Sequence, residues 1–558
     1  MLEARKWRFL FRIGMVCLGL FMGWRIYMSA IVPGSVPHWD EAAHALKGLL
    51  IAEDLKRGDW AGFLYDSYRQ VYWPPLLSWF VGVALLVASP SIVTARLVSL
   101  GVFLLSAFFL YLAGLQMERE RGELIAVVAV VLFLTNQAIV GHATEVMLEI
   151  YGILFLILTF LLYFAITRRP EKTWLHFLLG LSVAGAYFAK SNYGILLFIV
   201  IVIAALLDVG FHVHRLLTRQ MFYFLIPLII IFALWFAYPP KIASTWQAMV
   251  NVPFGEQDPF TVTGFLFYPH ALFDMAGSWW LFVVWATAFL ISFRYWRDKN
   301  MRFLLLLILF QLALGQIHHT KVVRHHLPVL PAVFLLTGYV LAQTWAWGKV
   351  GIRYWLPRVA SLALLAGTII TFTLMYQPIT RKTDETLIAY LEEIAATHES
   401  IWLIGSMDLV QPAAPVLDWE LAVQGKVLSV FHSGATMHYE QDRAAQSLLS
   451  TMPVPILQQM VLPVLERSES SAPIRTLYLG LPSGTMYSSG AEGLEAFLRY
   501  QGGVDILETA VVLSRKDDTG RFPESSIGAV LKKMGLEPGE SRIFTQTKVT
   551  IYQTGATK

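Results

Sequence analysis

The octapeptide PHWDEAAH, residues 37–44, sets two adjacent carboxylates, Asp40 and Glu41, and a nearby imidazole, His44, directly behind the first long apolar run of the chain. Other ionisable side chains stand where later apolar runs begin or end: Arg96, His142, Glu145, Lys190, His270, and the cluster His318, His319, Lys321, Arg324, His325 and His326. An ionisable group at membrane depth is costly, so each is a functional candidate unless a helix end accounts for it. Carboxylates beside several cations near one surface suit an anionic, membrane-borne substrate: the cations hold a phosphate while a carboxylate takes the proton of an attacking hydroxyl.

The elements that carry these groups are membrane spans. Of the 558 residues, 56% are hydrophobic and 15% charged, and the mean hydropathy is +0.57. That composition, with its repeated long apolar runs, is that of a polytopic α-helical membrane protein. The net charge of +4 is spread in short basic clusters between the runs, a pattern of topology determinants with no nucleic-acid footprint. The single cysteine, Cys17, excludes a disulfide framework or a thiolate metal site.

Runs near 9–32, 93–115, 122–141, 146–167, 174–189, 194–208, 222–238, 278–293, 303–317, 326–347 and 357–376 predict about eleven spans of ~20 residues each. With Arg5, Lys6 and Arg8 holding the N-terminus in the cytoplasm, the basic clusters near 116–123, 167–172, 212–219, 293–302 and 348–358 all fall inside. The chain is then a multi-pass protein of the plasma or inner membrane. Keeping that parity requires the apolar stretch 74–89, with its proline pair, to lie at the outer face instead of crossing. Residues 40–57 likewise read as an interfacial helix, with Ala42, Ala43, Leu46, Leu49 and Leu50 on one face and Glu41, His44, Lys47 and Gly48 largely opposite. The first 379 residues form the membrane domain.

Residues 380–558 have mixed composition and read as an extracytoplasmic α/β domain, with candidate strands at 401–405, 426–431, 475–481, 510–514 and 548–554, helices at 384–396 and 525–534, and an exposed loop at 466–473.

Structural explanations compete for each candidate. Asp40 could be the N-cap of the interfacial helix, which would leave Glu41 unexplained. Lys321 and Arg324 could be snorkelling residues at span ends, and Glu145 and Lys190 a mutual ion pair. HHTKVVRHH, residues 318–326, lacks tetrahedral ligand spacing on one rigid element, so no metal or other cofactor is required; a bound divalent ion is the alternative.

Several stretches carry a resemblance. WDEAAHALKGLLIAEDLKRGDW, then YWPPLLSW, then ARLVSLGVFLLSAFFLYLAG resembles the GT-C membrane glycosyltransferases of the protein O-mannosyltransferase and aminoarabinose (lipid A) transferase type. The similarity continues through GHATEVMLEIYGILF, where that family has Thr-Asp or Leu-Asp, AYFAKSNYGILL, where it has a Lys-Gly step, and KVVRHHLPVLPAVFLL. It spans roughly residues 1–350. The resemblance implies inverting transfer of a sugar from a polyprenyl-phosphate carrier to a lipid, glycan or protein acceptor at the outer membrane face. It makes Asp40 the general base, Glu41 its neighbour in the donor site and Glu145 the second acid. Arg96, Lys190, Lys321 and Arg324 would face the lipid phosphate, and His44, Trp73, His270 and His325 would border the substrates. Trp73 stands where the family commonly has Lys or His before Pro-Pro, so the phosphate must find its cation elsewhere. A transporter or flippase of lipid-linked or polar substrates is the rival reading; it calls for charges near the midplane and paired halves, whereas these charges gather at one face.

Overall fold

The computed structural model describes residues 2–33, 37–71, 73–250, 259–318, 321–345, 352–376, 385–397, 400–405, 407–425, 429–432, 509–515, 536–544 and 547–554. Helix α1 (Leu2–Ile26), extended by a π-turn, leads into three shorter helices, α2 (Trp39–Arg57), α3 (Trp60–Tyr68) and α4 (Leu76–Val87). There follow α5 (Ile92–Met117), α6 (Gly122–Leu134), α7 (Gln137–Ala143), α8 (Leu148–Arg168), α9 (Thr173–Ala189) and α10 (Ser191–Asp208). The membrane part closes with α11 (Arg219–Trp235), α12 (Pro239–Val250), α13 (Val262–Ala276), α14 (Trp279–Ser292), α15 (Lys299–Ile317), α16 (Val329–Thr344) and α17 (Ile352–Met375). Among the described residues six helices are long and apolar enough to cross a bilayer, and nine spans result if each bent pair, α6/α7 at 65°, α11/α12 at 92° and α13/α14 at 117°, is one span. Helix α13 has no counterpart among the predicted runs.

Side-chain caps fix where several helices begin. The hydroxyl of Ser91 accepts from the Thr94 amide at 3.0 Å at the start of α5, and Asn136 accepts from the Ile139 amide at 3.1 Å at the α6/α7 bend. Gly58, at φ 67°, takes the left-handed conformation that ends α2.

Contacts of charged side chains between the membrane helices fall into two layers. At one end Asp208, closing α10, pairs with Lys299 at 2.7 Å and with Arg302, both opening α15, and Gln343 near the end of α16 donates to Glu118 at 2.9 Å between α5 and α6. At the other end, the start of α8, the α9/α10 junction and the turn after α15 meet the start of α2 through the ion pairs described below. These are the two sets of helix ends that alternating spans place on opposite faces.

Helix α2 differs from the interfacial helix expected of its sequence. Ala42, Ala43 and Leu49 are buried, but so are Glu41, His44 and Gly48 on the face expected to meet solvent. Helix α4 covers one side, with Gly48 so close to Val81 that a Cβ on Gly48 would lie 2.5 Å from Cγ1 of Val81. Helix α19 (Met407–Val423) covers another, and its Val416, Leu417 and Trp419 join the buried core. Nor is Asp40 the helix cap: α2 starts at Trp39, His38 holds the N-cap position, and Asp40 lies in the first turn.

After α17 come α18 (Glu385–Ala395), α19 and five strands, β1 (Ser400–Gly405), β2 (Ser429–His432), β3 (Thr509–Arg515), β4 (Leu536–Phe544) and β5 (Thr547–Thr554). They form one sheet of order β2-β1-β3-β5-β4, with β1 parallel to β2 and β3, and β5 antiparallel to β3 and β4. The expected strand at 475–481, helix at 525–534 and loop at 466–473 lie outside the described residues, as does His319.

Candidate active site

Four side chains from four separate segments form a continuous ionic chain. The Arg324 guanidinium donates from Nη1 to Oδ2 of Asp40 at 3.2 Å and faces Oε1 of Glu149 through Nε at 3.7 Å. The Lys190 ammonium donates to the same Glu149 oxygen at 2.5 Å. Each position has a local cause. Asp40 and Glu149 lie in the first turns of α2 and α8, where the helix dipole favours a carboxylate. Lys190 is the single extended residue between α9 and α10, at φ −156°, and Arg324 sits in a 3₁₀ turn at 323–326. Asp40 and Glu149 are each 2% exposed, so their interactions are little screened by water.

Glu41, adjacent to Asp40, does something different. Its two oxygens accept from Nε and Nη2 of Arg96 at 2.7 and 2.8 Å, and they also accept the amides of Val146 at 3.2 Å and His38 at 3.3 Å. This buried fork ties α2 to α5 and to the turn before α8. It directs Arg96 at Glu41 in place of a lipid phosphate. Glu145 is buried in that same turn, within electrostatic reach of Arg96, and Lys190 pairs with Glu149 instead of Glu145.

His44 follows Asp40 by one turn of α2. Its ring packs on Trp73 with centroids 4.3 Å apart, and Lys47 lies over the same indole at 4.2 Å. Burial, and then the charge of Lys47, hold its pKa well below the ordinary histidine value. His325 is lowered to about 3 by burial and by Lys190 and Arg324, so these two imidazoles are neutral at pH 7.

Two predicted residues fall elsewhere. Lys321 donates to the carbonyls of Gly315 and Gln316 at 3.1 and 3.0 Å, capping the end of α15 as a cation at a helix C-terminus does. His270 is exposed on α13 and pairs with Asp274 at 3.1 Å. Glu149 was not among the predicted site residues, although its Leu-Glu step offers the same match to Leu-Asp that Thr-Glu at Glu145 offers to Thr-Asp.

His326, two residues after Arg324, is fully buried with its ring 3.5 Å from that of Tyr268, and its Nδ1 faces the Gln311 amide nitrogen at 3.2 Å. Burial lowers its pKa to about 3. The unfolded chain, titrating near ~6.5, binds the extra proton first, so stability present above that pH is lost as pH falls toward 3. Thermal melting between pH 6.5 and 5 should therefore show His326→Gln losing less stability than wild type, by up to ~2 kcal/mol. Parallel pH slopes for the two proteins would contradict this.

No protein-family model matches the sequence, and no curated protein matches it. Solved structures do. ArnT from Cupriavidus metallidurans bound to undecaprenyl phosphate superposes with a TM-score of 0.51 at 13% identity, over 99% of both chains, and apo ArnT gives 0.50 at 14% identity over 99% of both. The Archaeoglobus fulgidus oligosaccharyltransferase in complex with Zn and sulfate gives 0.50 at 11% identity, over 97% of this chain and 73% of that one. At these identities the likeness shows the fold alone: this chain shares the fold of ArnT and of that oligosaccharyltransferase, the type of protein its sequence resembles.

Proposed function

We propose that this chain is a glycosyltransferase that moves a glycosyl group, with inversion, from a polyprenyl-phosphate-linked sugar to an acceptor hydroxyl at the outer face of the cell membrane. The observation that carries this reading is the chain Asp40, Arg324, Glu149 and Lys190, drawn from one end of the helical bundle. In a single displacement the acceptor oxygen bonds to the anomeric carbon, the bond from that carbon to the phosphate oxygen breaks, and its electron pair stays on the phosphate. The acceptor proton goes to a carboxylate, and Asp40 is the one set at the edge of the chain. A phosphate leaving group gains a negative charge and needs cations in place of a general acid, which Lys190 and Arg324 supply. Glu149 holds those two cations in place.

A groove of about 410 Å3 supports a lipid donor. It runs between α9, α10 and α11, lined by Val183, Tyr187, Phe198, Leu225 and Phe232, so its apolar wall reaches within a turn of Lys190. In the ArnT structure the ligand is undecaprenyl phosphate; here an isoprenoid chain along this groove would bring its phosphate to the cations.

Eleven spans follow if the apolar helices α9 and α16 cross in addition to the nine, with α4 at the outer face. An odd count sets the two termini on opposite sides, and with the basic loops inside, the N-terminus is cytoplasmic and residues 380–558 form an α/β domain outside. Because α19 packs on α2, this domain is well placed to select the acceptor beside Asp40.

The ionic chain brings its own cations to a phosphate, Lys190 and Arg324, each facing a carboxylate through one oxygen, so no divalent ion is expected to be required. Transfer should accordingly persist in excess chelator; loss restored by one specific divalent ion would contradict this.

The reading is tested by mass spectrometry of lipid-linked sugars and cell-envelope glycans in a deletion strain. A polyprenyl-phosphate sugar should accumulate while one glycosylated product disappears. Unchanged profiles of both would overturn it.

A further inference from the structure

The buried polar atoms with no hydrogen-bond partner among the described protein groups include two beside Lys190: the hydroxyl of Tyr193 and Oε2 of Glu149. Tyr193 is fully buried. Its amide donates to the Lys190 carbonyl at 2.9 Å, and its ring lies 5.6 Å from the Lys190 ammonium. The ring packs against α8 at Gly152, one turn after Glu149, so closely that a Cβ there would sit 2.6 Å from Cδ2 of Tyr193. Glycine at 152 is what lets the phenol lie alongside the α8 turn that carries Glu149, within electrostatic reach of Glu149 and Arg324.

The chemistry of the pair is selective. A carboxylate oxygen only accepts, while a phenol at neutral pH donates readily. Leaving both unsatisfied in a buried site is costly, so the pair calls for a group that donates to one and accepts from the other. A phosphate oxygen would accept from Tyr193 but be repelled by Glu149. An ammonium would donate to Glu149 but has no lone pair to accept the phenol O–H. An alcohol does both.

Resting on the glycosyl-transfer reading above, we infer that Tyr193 and Glu149 Oε2 form a subsite for a hydroxyl of the donor's sugar ring. The hydroxyl donates to the carboxylate and accepts from the phenol, while the phosphate lies on Lys190 and Arg324. The ring is thereby oriented by a group separate from those that hold the lipid. Tyr193 is a binding residue here and exchanges no proton.

Tyr193→Phe tests this, since it removes one oxygen and keeps the ring against Gly152. Two quantities are read: affinity of the purified protein for undecaprenyl phosphate, which has no sugar, and the initial rate of glycan transfer when the protein is added to membranes of the deletion strain. The expected result is a transfer rate ~10- to 100-fold lower with undecaprenyl phosphate affinity within about twofold of wild type. The melting temperature should be equal or higher, because an unsatisfied buried hydroxyl has been removed. Loss of both transfer and affinity would overturn the subsite by placing Tyr193 on the phosphate, and unchanged transfer would overturn it outright. If wild-type protein neither binds undecaprenyl phosphate nor transfers, the glycosyl-transfer reading itself fails, and the subsite with it.

Discussion

Asp40→Asn is expected to slow transfer by ~10² to 10⁴ while leaving affinity for the lipid donor within a few-fold of wild type. Asparagine keeps an oxygen that can accept from Arg324, now 3.2 Å from Oδ2, so the geometry of the ionic chain survives while the basicity is lost. Little of the loss can be assigned to the helix. His38 and not Asp40 occupies the N-cap position of α2. A first-turn carboxylate contributes only ~0.3 to 1 kcal/mol through the helix dipole. The melting temperature should therefore move little. Turnover within a few-fold of wild type on folded protein would remove Asp40 as the base and direct the search to Glu149.

The neighbouring substitution should act through the fold. Glu41→Ala leaves the Arg96 guanidinium buried without the carboxylate that now meets it at 2.7 and 2.8 Å, and breaking such a pair costs ~3 to 5 kcal/mol. Arg96→Met alone strands Glu41 and should cost a comparable amount. Glu41→Leu combined with Arg96→Met removes both charges, and the double variant should recover most of the stability lost by either single change. Denaturant or thermal melting of wild type, Glu41→Leu, Arg96→Met and the double variant measures this coupling. If Glu41→Ala melts like wild type yet fails to transfer, Glu41 contacts substrate after all. Two adjacent acids thus divide the labour, one facing Arg324 and the other fastening the helix that carries it.

Asp40, Lys190 and Arg324 were legible in the sequence because each stands at the end of an apolar run on one parity, and the parity followed from the basic loops. Glu149 was not, because Glu145 and Glu149 are one helical turn apart. The choice depends on α8 starting after an extended Met147 (ψ 144°), which puts Glu149 in the first turn and Glu145 in the preceding loop. Lys321 required knowing that α15 ends at Ile317 with carbonyls to be capped. The burial of both faces of α2 depends on α19, more than 350 residues along the chain from Asp40, and periodicity within α2 carries no trace of that contact. Helix α13 carries His270 and Asp274 beside Pro269, and these polar residues break the uniform apolar run that identified the other spans.

Central to this function is that Lys190 and Arg324 hold a polyprenyl phosphate while Asp40, at the edge of the ionic chain, is the base. Equilibrium binding of undecaprenyl phosphate to purified wild type, Asp40→Asn and Arg324→Gln tests it most directly. Saturable binding to wild type is expected, with an affinity within a few-fold for Asp40→Asn and one at least ~10-fold weaker for Arg324→Gln, as loss of a charge-assisted contact to phosphate requires. Equal affinity for wild type and Arg324→Gln, or no saturable binding to any of the three, would contradict it.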